Sequence, residues 1–155
     1  MNTEKKNSTD GLLKLIGFFA LVGTFIVLCR RLFKTLNEKD CQKNYNSEIR
    51  RYISCFNALS EKVAKVEFHC LKLASFFSAD TIDLSKADIG SELTIDISGF
   101  ASAIKILLPK ECNIVNVSDN KYSAIEYNEE YTEGAPTVTL VGKIRACAVS
   151  FTKAL

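Results

Sequence analysis

The pattern of apolar and polar residues divides the chain into an apolar N-terminal run, a polar connection and a strand-rich remainder. Residues 11–29 read GLLKLIGFFALVGTFIVLC, with Lys14 as the only charge. A helix of this length rises roughly 28 Å, which is close to the thickness of the hydrocarbon core of a bilayer. The pattern therefore predicts a single-pass transmembrane helix at residues 11–29, preceded by a polar tail at residues 1–10.

Two other interpretations of this run are disfavoured. A cleaved signal peptide needs a small-x-small cleavage pattern, whereas the run ends directly in Leu28, Cys29 and Arg30. A buried helix of a soluble protein is rarely apolar all round for five turns. Orientation follows from the basic residues, which favour the C-terminal side of the run: Lys5 and Lys6 precede it, and Arg30, Arg31, Lys34 and Lys39 follow it. The positive-inside rule then predicts a cell-membrane protein whose folded domain is cytoplasmic.

The polar connection is a juxtamembrane linker. Residues 30–48 lack a sustained apolar period, and they separate the predicted anchor from a domain at residues 49–155. Within that domain, short apolar runs alternate with polar residues, as in Leu93–Ile97 and Val138–Leu140. This period of two predicts half-buried strands. We also expect a short helical turn within residues 47–53 and a turn at residues 119–121.

A six-residue pattern repeats five times in the domain. The second residue of the pattern is small or short and polar, and the third is always alanine. The fourth residue is aliphatic in four copies, with Asp80 as the exception, and the fifth is polar. The five hexads are Phe56–Glu61, Phe77–Ile82, Ala101–Ile106, Tyr122–Tyr127 and Ala146–Phe151. Their starts step by 21, 24, 21 and 24 residues, so the larger repeat is 45 residues.

The hexads predict an all-β fold of repeated units. The alternation at positions four to six is that of a half-buried strand, and the two small residues before it permit a sharp bend or a close approach of backbones. We therefore expect a solenoid-like stack of short strands, in which each unit covers the apolar face of its neighbours. A β-sandwich with similar strands is the alternative. The last hexad, Ala146–Phe151, carries no strong polar cap, so we expect an open end of the stack there.

Composition removes several classes of function. The net charge of +2 is too small to indicate a nucleic-acid partner, and no phosphate-binding or dinucleotide motif occurs. One histidine and six cysteines without a zinc-like spacing predict no metal site, no catalytic residue and no cofactor. We interpret the cysteines as free thiols and His69 as an exposed or satisfied histidine. Four aspartates are interpreted as solvated carboxylates rather than calcium ligands: Asp80, Asp83, Asp88 and Asp96.

Residues 53–155 resemble the C-terminal domain of the LiaF-like family of cell-wall-active antibiotic response proteins. Three segments carry the likeness: FFSADTIDLSKADI (Phe76–Ile89), LTIDISGFASAIKILLPKECNIV (Leu93–Val115) and TVTLVGKIRACAVSF (Thr137–Phe151). The family's turn glycines are Ser, Ala, Asn or Cys in this chain. The resemblance implies a membrane-associated β-stack without catalytic residues, of which some members restrain a sensor kinase in a cell-envelope stress pathway.

Two functions follow from these observations. The first is a membrane-anchored, non-enzymatic accessory or regulatory module that contacts a membrane protein. The second is a structural β-solenoid protein that self-assembles at the membrane, because a stack with uncovered end strands exposes unpaired backbone groups. Neither function involves nucleic acid or a small-molecule substrate.

Overall fold

The computed structural model describes residues 15–29, 31–32, 35, 49–63, 67–128 and 130–154. This described part of the protein is mostly β, with two parallel sheets and one short helix. The helix α1 comprises residues 15–29, and residues 31, 32 and 35 are also helical. The strands are β1 (Ile49–Cys55), β2 (Ala58–Lys62), β3 (Cys70–Phe76), β4 (Ala79–Asp83), β5 (Glu92–Phe100), β6 (Ala103–Leu108), β7 (Asn113–Asn116), β8 (Asp119–Lys121), β9 (Ala124–Glu126), β10 (Thr137–Arg145) and β11 (Ala148–Lys153). The predicted tail and most of the predicted linker lie outside the described residues.

The strands form five rungs, each of which contributes to both sheets. The first rung is β1 and β2, the second β3 and β4, the third β5 and β6, the fourth β7, β8 and β9, and the fifth β10 and β11. The first sheet has the order β1-β3-β5-β10-β7, with β8 also beside β10, and the second has the order β2-β4-β6-β11-β9. All of these pairings are parallel. Parallel pairing agrees with the predicted stack of units and disagrees with a sandwich of hairpins.

Each hexad begins at the bend where the chain passes from the first sheet to the second. The first hexad residue adopts a positive φ in every rung: Phe56 (50°), Phe77 (48°), Ala101 (49°), Tyr122 (56°) and Ala146 (53°). This left-handed conformation is uncommon for residues other than glycine. The chain passes from one sheet to the other within two residues, so the alanine at position three already belongs to the next strand. The sharp bend predicted from the small residues is therefore confirmed.

The rungs do not stack in chain order. Ala148 of the fifth rung pairs with Ala103 of the third rung on one side and with Ala124 of the fourth rung on the other. Of the hexads that are 45 residues apart, only those that begin at Ala101 and Ala146 lie in adjacent rungs. The expectation that the last hexad ends the stack is wrong: the fourth rung lies at that end.

Burial explains this order. β10 and β11 are long and place Val138, Leu140 and Ile144 in the core with no exposure. β8 is exposed at all three residues, and β9 is exposed at two of three. Because β10 and β11 lie between the third and fourth rungs, neighbouring strands cover both of their edges. The more polar fourth rung lies at the end of the stack. Burial of each large aliphatic side chain stabilises the fold by roughly 1.5–3 kcal/mol, which favours this arrangement.

The buried apolar cluster lies entirely within the β-domain. It extends from Tyr52 to Phe151 and includes no residue of α1. Most large apolar side chains of α1 are instead exposed, from 38% for Val22 to 73% for Leu21, whereas Ile26 is partly buried. Among the described residues, no helix has both the length and the apolar character needed to cross a membrane.

Two local predictions are wrong. The described part of residues 47–53 belongs to strand β1 and not to a helical turn, because Ile49–Cys55 pairs with β3 along its whole length. Residues 119–121 form strand β8 because they pair with Lys143–Arg145 of β10. A short polar segment resembles a turn in sequence, and only the neighbouring strand makes it extended. Pro109 and Pro136 lie outside the strands, where their missing N–H costs no ladder hydrogen bond.

Candidate functional site

Asp80 is buried on the inner side of the bend, contrary to the prediction of a solvated carboxylate. Its side chain is 2% exposed because position four of the hexad points into the core. Ser75 Oγ donates a hydrogen bond to Asp80 Oδ2 at 2.6 Å, and Ser78 Oγ donates to the same oxygen at 3.1 Å. The Leu59 amide lies 3.4 Å from Asp80 Oδ1. A buried carboxylate needs such donors, since an unpaired one costs several kcal/mol.

The polar cluster around Asp80 links the first three rungs. Ser78 N–H donates to Ser102 Oγ at 3.3 Å, which joins the second rung to the third. Ser54 of the first rung is aligned with Ser75 in the parallel register. Its hydroxyl is buried and has no hydrogen-bond partner among the described atoms. The cluster is shielded from solvent, so it serves to hold the register of the rungs rather than to meet a substrate.

The outer side of the same bend carries an aromatic corner, formed by Phe56, Phe76, Phe77 and Phe100. The rings of Phe56 and Phe77 are stacked, with centroids 5.2 Å apart, and Phe100 meets Phe77 edge-on at 5.4 Å. Phe76, Phe77 and Phe100 are between 41% and 51% exposed. Contiguous exposed aromatic rings are typical of surfaces that meet a partner or a membrane.

An open groove runs beside the aromatic corner. Its lining includes Phe56, Phe77, Ala101 and Ala146, and Ile26 of α1 reaches the same groove. Most of its lining residues are apolar, and its polar lining residues are Asn57, Ser78 and Ser102. Ile26 of α1 and residues from the bends of the first, second, third and fifth rungs therefore line one mostly apolar groove.

The outer face of the second sheet is a regular ladder. Ala58, Ala79, Ala103, Ala148 and Ala124 lie side by side in register, and all are exposed. A parallel polar row follows one pleat further along: Ser60, Thr81, Lys105, Ser150 and Glu126. The small side chains leave a shallow depression between the rows.

The fourth-rung end is polar and is tied to the fifth rung. Arg145 donates to Asp119 Oδ2 at 2.6 Å and to the Asp119 carbonyl oxygen at 2.8 Å. The hydrogen bond from Arg145 lowers the pKa of the Asp119 carboxyl. Asn113 anchors the loop that follows β9, since its side chain both donates to the Thr132 carbonyl and accepts from the Thr132 amide. Tyr122 projects from this end and is 95% exposed.

The remaining predicted residues do not converge on a reaction centre. His69 is half-exposed and lies 4.0 Å from Glu67, while among the described residues no three His, Cys, Asp or Glu side chains form a metal-binding group. The described cysteines are free. Burial raises the pKa of the Cys55, Cys70 and Cys112 thiols.

Comparison with known proteins returned no match among family models, curated proteins or solved structures. The resemblance to the LiaF-like family therefore stays a prediction. The sequence pattern also missed the buried role of Asp80. The available signal was its position, because Asp80 replaces an aliphatic residue at hexad position four and has serines at positions 75 and 78.

Proposed function

We propose that the chain is a membrane-anchored, non-enzymatic accessory or regulatory module that acts by contact with a membrane protein in a cell-envelope stress response. The observation that carries the proposal is the exposure of α1. Its apolar side chains face outward while the β-domain completes its core without them. Such a surface is stable in lipid or against another protein rather than in water. The apolar run at residues 11–29 is long enough to serve as the anchor.

The β-domain supports a role in contact rather than in catalysis. Its solenoid-like stack presents two side-chain ladders at a regular spacing on one face, which gives a partner a flat and repetitive surface. Tethering this surface beside a membrane protein raises the effective concentration of the pair to roughly millimolar for a short flexible link. A weak contact is then sufficient for regulation.

The anchor is tested by insertion. Replacing Leu21 with arginine puts a charge near the centre of the apolar run, at a cost of about 2.5–3.5 kcal/mol for membrane insertion. We expect Leu21→Arg to shift the chain from the carbonate-resistant membrane fraction to the soluble fraction. Lys14→Arg is the matched control, because it keeps the charge already present near the end of the run. Equal extraction of wild type, control and Leu21→Arg would contradict the anchor.

The orientation is tested by thiol labelling in intact cells. A membrane-impermeant reagent is applied before and after lysis, and modification of Cys41 in the linker is read by peptide mapping. Protection of Cys41 until lysis agrees with a cytoplasmic β-domain. Modification in intact cells places the domain on the outer side of the membrane and reverses the predicted orientation.

The partner contact is tested by photo-crosslinking from the ladder. A photoreactive residue at position 105 lies in the outer polar row, whereas position 86 lies in an exposed turn away from it. We expect position 105 to give a discrete adduct with a membrane protein and position 86 to give none. The same pattern at both positions would show that the ladder is not the contact surface.

Self-assembly at the membrane is the second candidate, and the edge of the fourth rung favours it. Within the described residues, no strand pairs with the outer sides of β7 and β9. Exposed parallel edges are templates for pairing with another copy. Light scattering of the detergent-solubilised full chain over a range of concentrations tests this candidate. A mass that rises with concentration supports assembly, and a constant monomer mass contradicts it.

A further inference from the structure

We propose that the aromatic corner lies in the headgroup region of a lipid bilayer. The first three rungs then contact the membrane directly, in addition to being tethered to it through the linker. The inference deepens the proposed function and rests on its membrane anchor. The ligand class is a phospholipid surface, and the contact residues are Phe56, Phe76, Phe77 and Phe100.

The fold itself does not require these rings. The third and fifth rungs make the same bend with Ala101 and Ala146, at φ values of 49° and 53°. Phe56 and Phe77 adopt that conformation with a bulky side chain, for which a positive φ is a genuine outlier. Phe77 nevertheless leaves half of its ring exposed and contributes nothing to the buried cluster. Because alanine fills the same position in two rungs, the exposed ring of Phe77 is available for contact outside the fold.

The position of α1 identifies the bilayer as the occupant. Ile26 lines the groove together with Phe56 and Phe77. It lies three residues before Cys29, where the apolar run ends, and therefore about 4.5 Å from that end along the helix axis. If the run spans the hydrocarbon core, this level is the boundary between acyl chains and headgroups. The aromatic corner is thereby brought to the same depth.

At the strand ends that precede the bends, the residues that match this depth are Phe76 of the second rung and Phe100 of the third. Aromatic and aliphatic side chains of interfacial elements bury their apolar face at the headgroup–acyl boundary. The equivalent places in the fifth and fourth rungs hold Arg145 and Lys121. Arg145 is engaged by Asp119, so this part of the bend is a charged, hydrated surface. The corner thus has an apolar section next to α1 and a polar section away from it.

The experiment uses the absence of tryptophan from the chain. Phe77→Trp places a single indole in the aromatic corner, and Tyr122→Trp places one at the matched bend position of the fourth rung. The two positions are separated by three strand spacings, which is roughly 14 Å. Each full-length variant is reconstituted into phosphatidylcholine vesicles with and without bromine on the acyl chains. Circular dichroism checks that both variants keep the β signal.

The expected result is that the indole at position 77 emits at shorter wavelength and loses most of its fluorescence in brominated vesicles, while the indole at position 122 keeps most of its emission. No quenching at position 77, or equal quenching at both positions, overturns the inference. A blue shift at position 77 without quenching also overturns it, because protein rather than lipid then covers the corner. Phe100→Trp provides the same readout if Phe77→Trp does not fold.

Flotation of the vesicles separates this inference from the proposed anchor. Vesicles that float without the chain show that the anchor itself fails, and the corner contact fails with it. Vesicles that carry the chain but leave position 77 unquenched contradict the corner contact alone.

Discussion

Gly142 gives the sharpest test of how the central strands pack. It lies in β10 opposite Ile97 of β5, with a φ of 108°. A Cβ atom built at this position would lie 2.2 Å from the Ile97 carbonyl oxygen and 2.7 Å from Asp96 Oδ1. The obstructing oxygen belongs to the backbone of the neighbouring strand, so the clash is relieved only if β5 and β10 move apart.

The expected cost of Gly142→Ala has two parts. A non-glycine residue held in a sparsely populated backbone conformation costs about 1–3 kcal/mol. Overpacking against a rigid neighbour adds about 1–3 kcal/mol. We therefore expect the free energy of unfolding to fall by roughly 2–6 kcal/mol, a large part of the roughly 5–15 kcal/mol that is typical of a domain.

Gly134→Ala separates the two parts. Gly134 also has a positive φ, of 76°, but nothing lies within 4 Å of an added Cβ. It therefore reports the backbone strain without the clash. Urea denaturation of the full chain, followed by circular dichroism, measures both variants. If Gly142→Ala is no more destabilising than Gly134→Ala, the proposed close approach of β10 to β5 is wrong.

Three further predictions concern polar groups. Asp80→Ala leaves the hydroxyls of Ser75 and Ser78 without their acceptor and should lower the free energy of unfolding by about 1–3 kcal/mol. Asp80→Asn should cause a smaller loss. An alanine variant that is as stable in urea as the wild type would refute this role of Asp80. Arg145→Gln should raise the pKa of Asp119 towards its ordinary value, as read by carboxyl chemical shifts. Because that pKa is depressed in the folded protein, the pairing contributes stability above the unfolded pKa and loses it as pH falls through the folded pKa; an unchanged titration would refute the pairing. Cys112 is fully buried and its thiol pKa is raised by burial, so it should react with a thiol reagent far more slowly in the native protein than in urea, and equal rates would contradict its burial.

Much of the fold follows from the hexads. Alanine at position three and alternation after it placed the strands of the second sheet, and the small residue at position two marked each bend. These features are local, because φ and side-chain direction depend on the residue and its immediate neighbours. The predicted turn at residues 119–121 is wrong because the pairing of this segment is not local. Asp119 and Asn120 favour turns in isolation, and pairing with Lys143 and Ile144 of β10 overrides that preference.

The candidate surface was less predictable. Phe77 and Phe100 are 23 residues apart, and their contact exists only because the second and third rungs stack. The same is true of the cluster around Asp80, whose donors come from the end of one strand and the beginning of the next. In the sequence, Asp80 is an exception to the aliphatic residue expected at hexad position four. Its hydrogen bonds form only when the folded chain brings the donors to it.

The sequence by itself determined the apolar run, the positions of the bends and the repeat of short strands, since these depend on local periodicity and on residue size. Only the tertiary structure decided the order of the rungs. The spacing between hexads is nearly equal along the chain and is compatible with several stacking orders. The burial of apolar side chains selects one of these orders. β11 carries Val149 and Phe151, so covering it on both sides buries more apolar surface than covering β9 would. The fourth rung therefore lies at the end of the stack, and the last strands of the chain lie between the third and fourth rungs.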